Sequence, residues 1–170
     1  MIWNVFRRRK QTPSIEGHWW RDADREAQAP TDAGLTRLRE AMTQATSDDR
    51  EAQEEMIDAI GAVLAAAAAP LPAVQTQHRV IGTDTCHAAF PVTLVADVGV
   101  PGKLFLTSGR CIFAGGKVQA WPWHRVRQIL RSGRDVAIVI AGQDAHAHFQ
   151  TNSYSDALLV AHFSERLRGA

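Results

Sequence analysis

GKLFLTSGRCIFAGGKVQAWPW, residues 102–123, is the stretch whose reading decides the fold. Leu104 and Leu106 alternate with Phe105 and Thr107, and beyond Ser108 and Gly109 the residues Cys111 and Phe113 alternate with Ile112 and Ala114. A period of two on both sides of a two-residue turn predicts a β-hairpin. Gly115 and Gly116, which reach positive φ at little cost, turn the chain toward a third strand over 117–123. The pattern is a meander and points to a small β-barrel module, away from an enzyme.

Outward from that hairpin, β patterning extends over about eighty residues. Candidate strands are 75–81, 85–89, 92–96, 103–107, 110–114, 118–123, 126–130, 136–141 and 146–150, separated by turn signals such as Gly82-Thr83-Asp84, Ser132-Gly133-Arg134 and Gly142-Gln143-Asp144. Asn152 or Ser153 then caps a final helix whose apolar residues are Ala157, Leu158, Ala161, Phe163 and Leu167.

N-terminal to the β region the period changes to that of a helix. Thr31 or Asp32 can cap its start, and Leu35, Leu38, Met42 and Ala45 recur at three- and four-residue spacing. Residues 46–49, TSDD, interrupt, a second stripe of Ala52, Met56, Ala59, Ile60, Val63 and Leu64 follows, and Pro70 and Pro72 stop the helix. Two readings stand: a helical hairpin broken near Ser47, or one long helix of up to about 57 Å at 1.5 Å per residue. The long helix fits a heptad in which only Asp49 falls on an apolar seam position, and that thin, alanine-rich seam offers a homodimer contact through residues 31–69. The cluster Glu51, Glu54, Glu55 and Asp58 has no neighbouring histidine and reads as a solvated face.

Residues 1–30 carry Trp3, Trp19 and Trp20 without sustained periodicity and are expected to be a flexible, basic leader. Trp3 and Phe6, followed by Arg7, Arg8, Arg9 and Lys10, form a candidate membrane contact in which aromatics enter the interface and cations meet anionic headgroups. The competing reading is a solvated leader whose charges keep it in water. Trp19 and Trp20 are expected to dock on the chain's own core or on a partner, because two adjacent indoles in water would make an unusual patch.

The 170 residues, 45% hydrophobic and 22% charged, suffice for one ordinary core and an appendage. The net charge of +1 divides into +2 over residues 1–30, −5 over 31–70 and +4 over 71–170. This uneven, nearly neutral balance argues against a dedicated nucleic-acid binder. Both cysteines, Cys86 and Cys111, lie in apolar runs and read as small buried hydrophobes. The opening MIWNVFRRRK places apolar residues before basic ones, the reverse of a secretory signal, and its apolar run is too short to cross a bilayer, so a cytoplasmic protein is expected.

Seven or so short strands followed by one amphipathic C-terminal helix is the order of elements in a pleckstrin-homology-like barrel. Gly102 with the LFLT run 104–107, Arg110 before Ile112-Phe113, and Trp121-Pro122-Trp123 before Val126 resemble the GRAM branch of that superfamily. The resemblance spans residues 74–167 and is most specific in the hairpin. It implies an α+β fold, an antiparallel pleckstrin-homology-like barrel with a C-terminal capping helix at residues 74–170 behind the helical region 31–70. It also implies a non-catalytic module that binds a lipid headgroup or a protein surface. Phosphoinositide-binding relatives hold the headgroup on lysines and arginines around the first strand-to-strand loop; the corresponding region here offers His78 and Arg79 beside Asp84.

Other chemistry is thinly represented. His146 and His148 share one face of a strand, but without a suitably spaced carboxylate or cysteine they do not amount to a zinc site, and neither metal nor cofactor is expected. Cys111 and His124 lack any evident activation of the thiolate. Gly115-Gly116 is followed by neither a helix start nor a P-loop lysine. Trp121 and Trp123, two apart on a strand, face one side, either as core or as an exposed pair beside Arg125 and Arg127. If exposed, these four residues make a protein-binding surface. The expected function is therefore an adaptor recognising a protein or peptide near a membrane; the alternative is a peripheral membrane protein that uses the leader and the basic residues of the barrel.

Overall fold

The computed structural model describes residues 15–44, 48–142 and 146–170. Two compact units divide the chain, Met1–Ala69 and Pro70–Ala170.

The first unit contains α1 (Ile15–Gln28), α2 (Asp32–Gln44) and α3 (Arg50–Ala68), which pack on one another. Within the region expected to be a flexible leader, residues 15–28 are helical. Trp19, Ala23 and Ala27 recur every four residues and are all buried, so one narrow face of α1 is apolar, although alanine fills two of these three positions. The rest of the unit's core is Leu35, Leu38 and Met42 of α2 with Met56, Ile57, Ala59, Ile60 and Val63 of α3. A turn at residues 48–49 separates α2 from α3, so the helical region is broken near Ser47 and is not a single long helix. Asp49, the misfit of the heptad, lies just before α3, where its carbonyl accepts the Gln53 N–H at 3.0 Å. The stripe that suggested a dimer seam is largely spent inside the unit, where Leu35, Leu38, Met42, Met56, Ala59 and Val63 are buried.

The second unit is a pleckstrin-homology-like α+β fold. Its strands are β1 (Cys86–Leu94), β2 (Val100–Thr107), β3 (Arg110–Ala114), β4 (Val118–Pro122), β5 (Val126–Ser132), β6 (Asp135–Ile140) and β7 (His146–Thr151), and α4 (Tyr154–Arg168) follows. They form one antiparallel sheet of seven strands in the order β4-β3-β2-β1-β7-β6-β5. The sheet does not close: β4 and β5 are its two edges, which corrects the expectation of a barrel in the strict sense. The cap of α4 is Ser153, whose Oγ accepts the Asp156 N–H at 3.0 Å. Ala157, Leu158, Val160, Phe163 and Leu167 are buried as α4 packs on β5 and also meets β1, β2, β6 and β7.

Both faces of the β2–β3 hairpin are buried. Leu104 lies opposite Phe113 and Leu106 opposite Cys111 on one face, where Phe113 meets Phe149 with ring centroids 5.6 Å apart. On the other face Phe105 lies opposite Ile112, and these two cluster with Ile81 and Cys86, flanked by Val80 and Ala114. Residues 75–81, expected as a strand, are instead an irregular segment that ends in a 3-10 turn, Arg79–Ile81, and brings Ile81 onto that face. The two strands expected at 85–89 and 92–96 are one, β1, which runs through Pro91. β7 pairs only with residues 92–94, so no neighbouring strand on that side requires the N–H that Pro91 lacks.

Gly115 and Gly116 do not have positive φ; that conformation belongs to Gly82, Gly133 and Gly142. Gly115 is glycine for space. A Cβ there would run into the Phe113 ring and stand 3.2 Å from the Pro101 carbonyl, and a Cβ on Gly102 would stand 2.6 Å from both the Ala114 carbonyl and Phe113 Cε2. The two glycines let the backbones of β2 and the β3–β4 turn close around one aromatic ring.

Candidate functional site

The β2–β3 turn is fastened by polar side chains that the sequence brings together from 23 or more residues apart. Thr107 is fully buried. Its Oγ1 accepts the Arg110 N–H at 3.1 Å and lies 2.8 Å from the Arg110 carbonyl and 3.0 Å from Asp84 Oδ2, with one proton to share between those acceptors. Asp84 Oδ2 forms an ion pair with Arg110 Nε at 3.0 Å, and Arg110 Nη2 donates to the Ile81 carbonyl at 3.3 Å. Arg110 therefore has a structural role, fixing the segment before β1 to the hairpin.

Trp123 belongs to the same fastening. It is 5% exposed, and its indole N–H donates to the Thr107 carbonyl at 2.7 Å while its backbone N–H reaches the Gly109 carbonyl at 3.2 Å. β4 ends at Pro122, and a 3-10 turn, Trp123–Arg125, starts in its place. The alternation that would put Trp121 and Trp123 on one face stops there, and of the two readings, core or exposed pair, the exposed pair is not formed. Trp121 is half-buried, its ring edge-on to Phe149 at 5.9 Å and 73°. Trp123 is a core residue.

The exposed part of this corner is an edge. Among the described residues β4 pairs with β3 alone, so none of them forms a strand on its other side, and Val118, Gln119 and Ala120 are exposed along it. His124, Arg125 and Arg127 are exposed where the chain crosses from β4 to β5. Their backbone is held in place: the Arg125 carbonyl accepts the Ala141 N–H at 2.8 Å, and the Arg127 carbonyl accepts Arg168 Nη1 at 3.1 Å. The half-buried Trp121 thus lies on an edge strand, and the exposed Arg125 and Arg127 follow it along the chain.

The expected lipid-contact positions are differently placed. Trp3, Phe6, Arg7, Arg8, Arg9 and Lys10 lie outside the described residues. His78, Arg79 and Asp84 precede β1, so they are not in the first strand-to-strand connection; that connection is residues 95–99, which contain Asp97 and neither lysine nor arginine. Val95 and Val98 are exposed there, Val98 at 79%.

Nothing in the histidine and cysteine inventory converges on chemistry. His148 Nε2 lies 3.2 Å from Asp135 Oδ1, and the rings of His146 and His148 are 6.4 Å apart, but among the described residues no three His, Cys, Asp or Glu side chains could hold a metal. Cys86 and Cys111 are free, buried thiols whose pKa values burial pushes up, Cys111 the more strongly. Desolvation disfavours the thiolate and leaves both poor nucleophiles. No helix among the described residues is long and apolar enough to cross a membrane.

No family model and no curated protein matches the chain. Solved structures that resemble it include the C-terminal domain of an unknown protein from Leishmania infantum, 15% identical with a TM-score of 0.41, covering 49% of this chain and 88% of that one. Inner Membrane Complex sub-compartment protein 3 from Toxoplasma gondii is 12% identical with a TM-score of 0.43, over 48% of this chain and 74% of that one. The DH/PH fragment of PDZRHOGEF, in complex with human RhoA, is 12% identical with a TM-score of 0.45, over 91% of this chain and 54% of that one. Likenesses of this size say nothing of partners, and the fold assignment stands on the strand order and on α4.

Proposed function

We propose that this protein is a non-catalytic adaptor, cytoplasmic, whose pleckstrin-homology-like unit recognises an extended segment of a protein partner along β4. The observation that carries this reading is that β4 pairs with β3 alone among the described residues, with Trp121 on the strand and the exposed Arg125 and Arg127 after it in the chain. A peptide adding to a free edge gains main-chain hydrogen bonds, and flanking pockets and charges select its side chains. Arg125 and Arg127 favour acidic residues, and the exposed side of the Trp121 ring offers an aromatic contact. The GRAM-type assignment is part of this reading, supported by the strings around Gly102, Arg110 and Val126 and by the structural work that Gly102 and Arg110 perform.

The test is selection of peptides from a random library on the 170-residue chain, followed by amide hydrogen exchange of the complex. Slowed exchange at Gln119, Ala120 and Trp121, with binding weakened at least about tenfold by Arg125→Glu and Arg127→Glu together, is the expected outcome; tenfold corresponds to about 1.4 kcal/mol. Peptides that protect another surface, or a library that yields none, would sink it.

A second reading, a peripheral membrane protein, is favoured by one observation: Val98 and Val95 project from the β1–β2 connection, and exposed Val118, Lys103 and Lys117 lie on the neighbouring strand and turn residues. Apolar tips flanked by lysines suit an anionic bilayer surface. Sedimentation with vesicles containing phosphatidylserine at low salt separates the two, because the electrostatic part of membrane binding is strongest there. Absence of sedimentation at low salt rules this reading out and leaves the peptide reading untouched.

A further inference from the structure

We propose that the helical unit binds a small neutral aromatic molecule carrying an N–H or O–H donor, in a cavity lined by Trp19, Leu38 and the buried Gln53, whose amide oxygen has no hydrogen-bond partner. The cavity measures about 420 Å³ and is lined from all three helices of the unit. That volume lies within the range of about 300–1,000 Å³ typical of small-molecule sites.

The wall is rigid. The Trp19 indole N–H donates to the Leu38 carbonyl at 3.1 Å, which holds the ring in place between α1 and α2. Glu26 is held equally firmly, its Oε1 accepting the Thr31 N–H at 2.6 Å and the Thr31 hydroxyl at 2.7 Å at the start of α2. Its carboxyl group fills the space over Gly34 that a Cβ would occupy, so glycine at 34 is what permits the corner.

The charges around the cavity are matched in pairs. Arg25 lies 3.1 Å from Asp22, and Arg37 lies 3.7 Å from Glu26. With these charges already paired the cavity offers no unmatched charge to a charged guest, which favours a neutral ligand. The polar atom left over is Gln53 Oε1. Gln53 is 1% exposed, and its Oε1 has no hydrogen-bond partner. A buried amide oxygen costs stability unless a donor reaches it. The donor on the ligand supplies that bond, and its flat body lies against Trp19 and Leu38.

The probes are benzamide and acetophenone, which share a shape but differ in that only benzamide has N–H donors. In titrations of the isotopically labelled 170-residue chain, benzamide is expected to shift the Trp19 indole and Gln53 amide signals, with acetophenone at least about tenfold weaker. Gln53→Leu is expected to abolish that preference while keeping the folded spectrum. If Gln53→Leu does not fold, Ala41→Trp at the exposed mouth of the cavity decides: loss of benzamide binding supports the site. The proposal is overturned if benzamide, phenol and indole all leave these signals unmoved at millimolar concentration. It is also overturned if the two probes bind equally or acetophenone binds better, if the preference survives Gln53→Leu, or if Ala41→Trp still binds.

Discussion

His162 lies on α4 with its Nε2 buried and unbonded, and desolvation, followed by the positive charge of Arg166 one turn on, holds its pKa below the usual value. The sign of the consequence follows from proton linkage. Below about pH 6.5 the unfolded chain takes up a proton at this histidine while the folded chain resists it. Stability is then complete above the unfolded pKa and is lost as pH falls from about 7 toward the lowered folded value. His162→Gln, which cannot titrate, is expected to flatten the pH dependence of the urea midpoint between about pH 7 and pH 5, and to be closest to the parent at the high end. A midpoint that falls with pH as steeply in the variant as in the parent would show that another group controls acid stability. The two buried thiols add no charge in this range, because burial moves both upward and away from it.

At the scale of elements, the hairpin β2–β3 closes on Phe113 only because Gly102 and Gly115 have no side chains. Gly102→Ala places a methyl group 2.6 Å from the Ala114 carbonyl, a backbone atom that cannot move aside as a flexible side chain can. Overpacking of this kind costs about 1–3 kcal/mol. Gly116→Ala is the control: its φ is not positive and the nearest atom, Val100 Cγ1, is 3.7 Å away, so its effect is expected within about 0.5 kcal/mol. Equal urea midpoints for the two variants would overturn the close-approach account. This hairpin was legible because its period of two survives burial of both faces, and β3 occupies the residues expected, 110–114. The edges of that legibility have physical causes. Segment 75–81 has strand-like composition since it must cover Phe105 and Ile112, but it does so as an irregular chain. α1 was missed because alanine supplies most of its buried stripe, and Trp123 was misplaced because the strand ends one residue before it. Gln53 gave no signal at all, as a glutamine beside the Glu54-Glu55 pair reads as solvated surface until the bundle encloses it.

For the whole molecule, the division at Ala69 and Pro70 coincides with an exposed stretch without helix or strand, which contains Pro70 and Pro72. Where the second unit begins is a matter of chemistry more than of strand boundaries. The Val74 N–H donates to the Cys86 carbonyl at 2.8 Å, the His87 Nδ1 lies 2.7 Å from the Pro72 carbonyl, and Ile81 and Asp84 cover and fasten the hairpin from residues that precede β1. A fragment of residues 70–170 is therefore expected to fold alone with a cooperative urea transition. A fragment of residues 86–170, which keeps every strand and α4, loses the Ile81 and Val80 cover over Phe105 and Ile112 and the Asp84 partner of Arg110 and Thr107. Exposing one fully buried aliphatic side chain costs about 1.5–3 kcal/mol, and loss of the carboxylate leaves Arg110 without its ion pair, so the shorter fragment is expected to be destabilised by at least that amount or to fail to fold. Equal midpoints for the two fragments would mean that the segment before β1 is an appendage; a large difference would make it an integral layer of the fold, packed on the outer face of a sheet that its own strands leave uncovered.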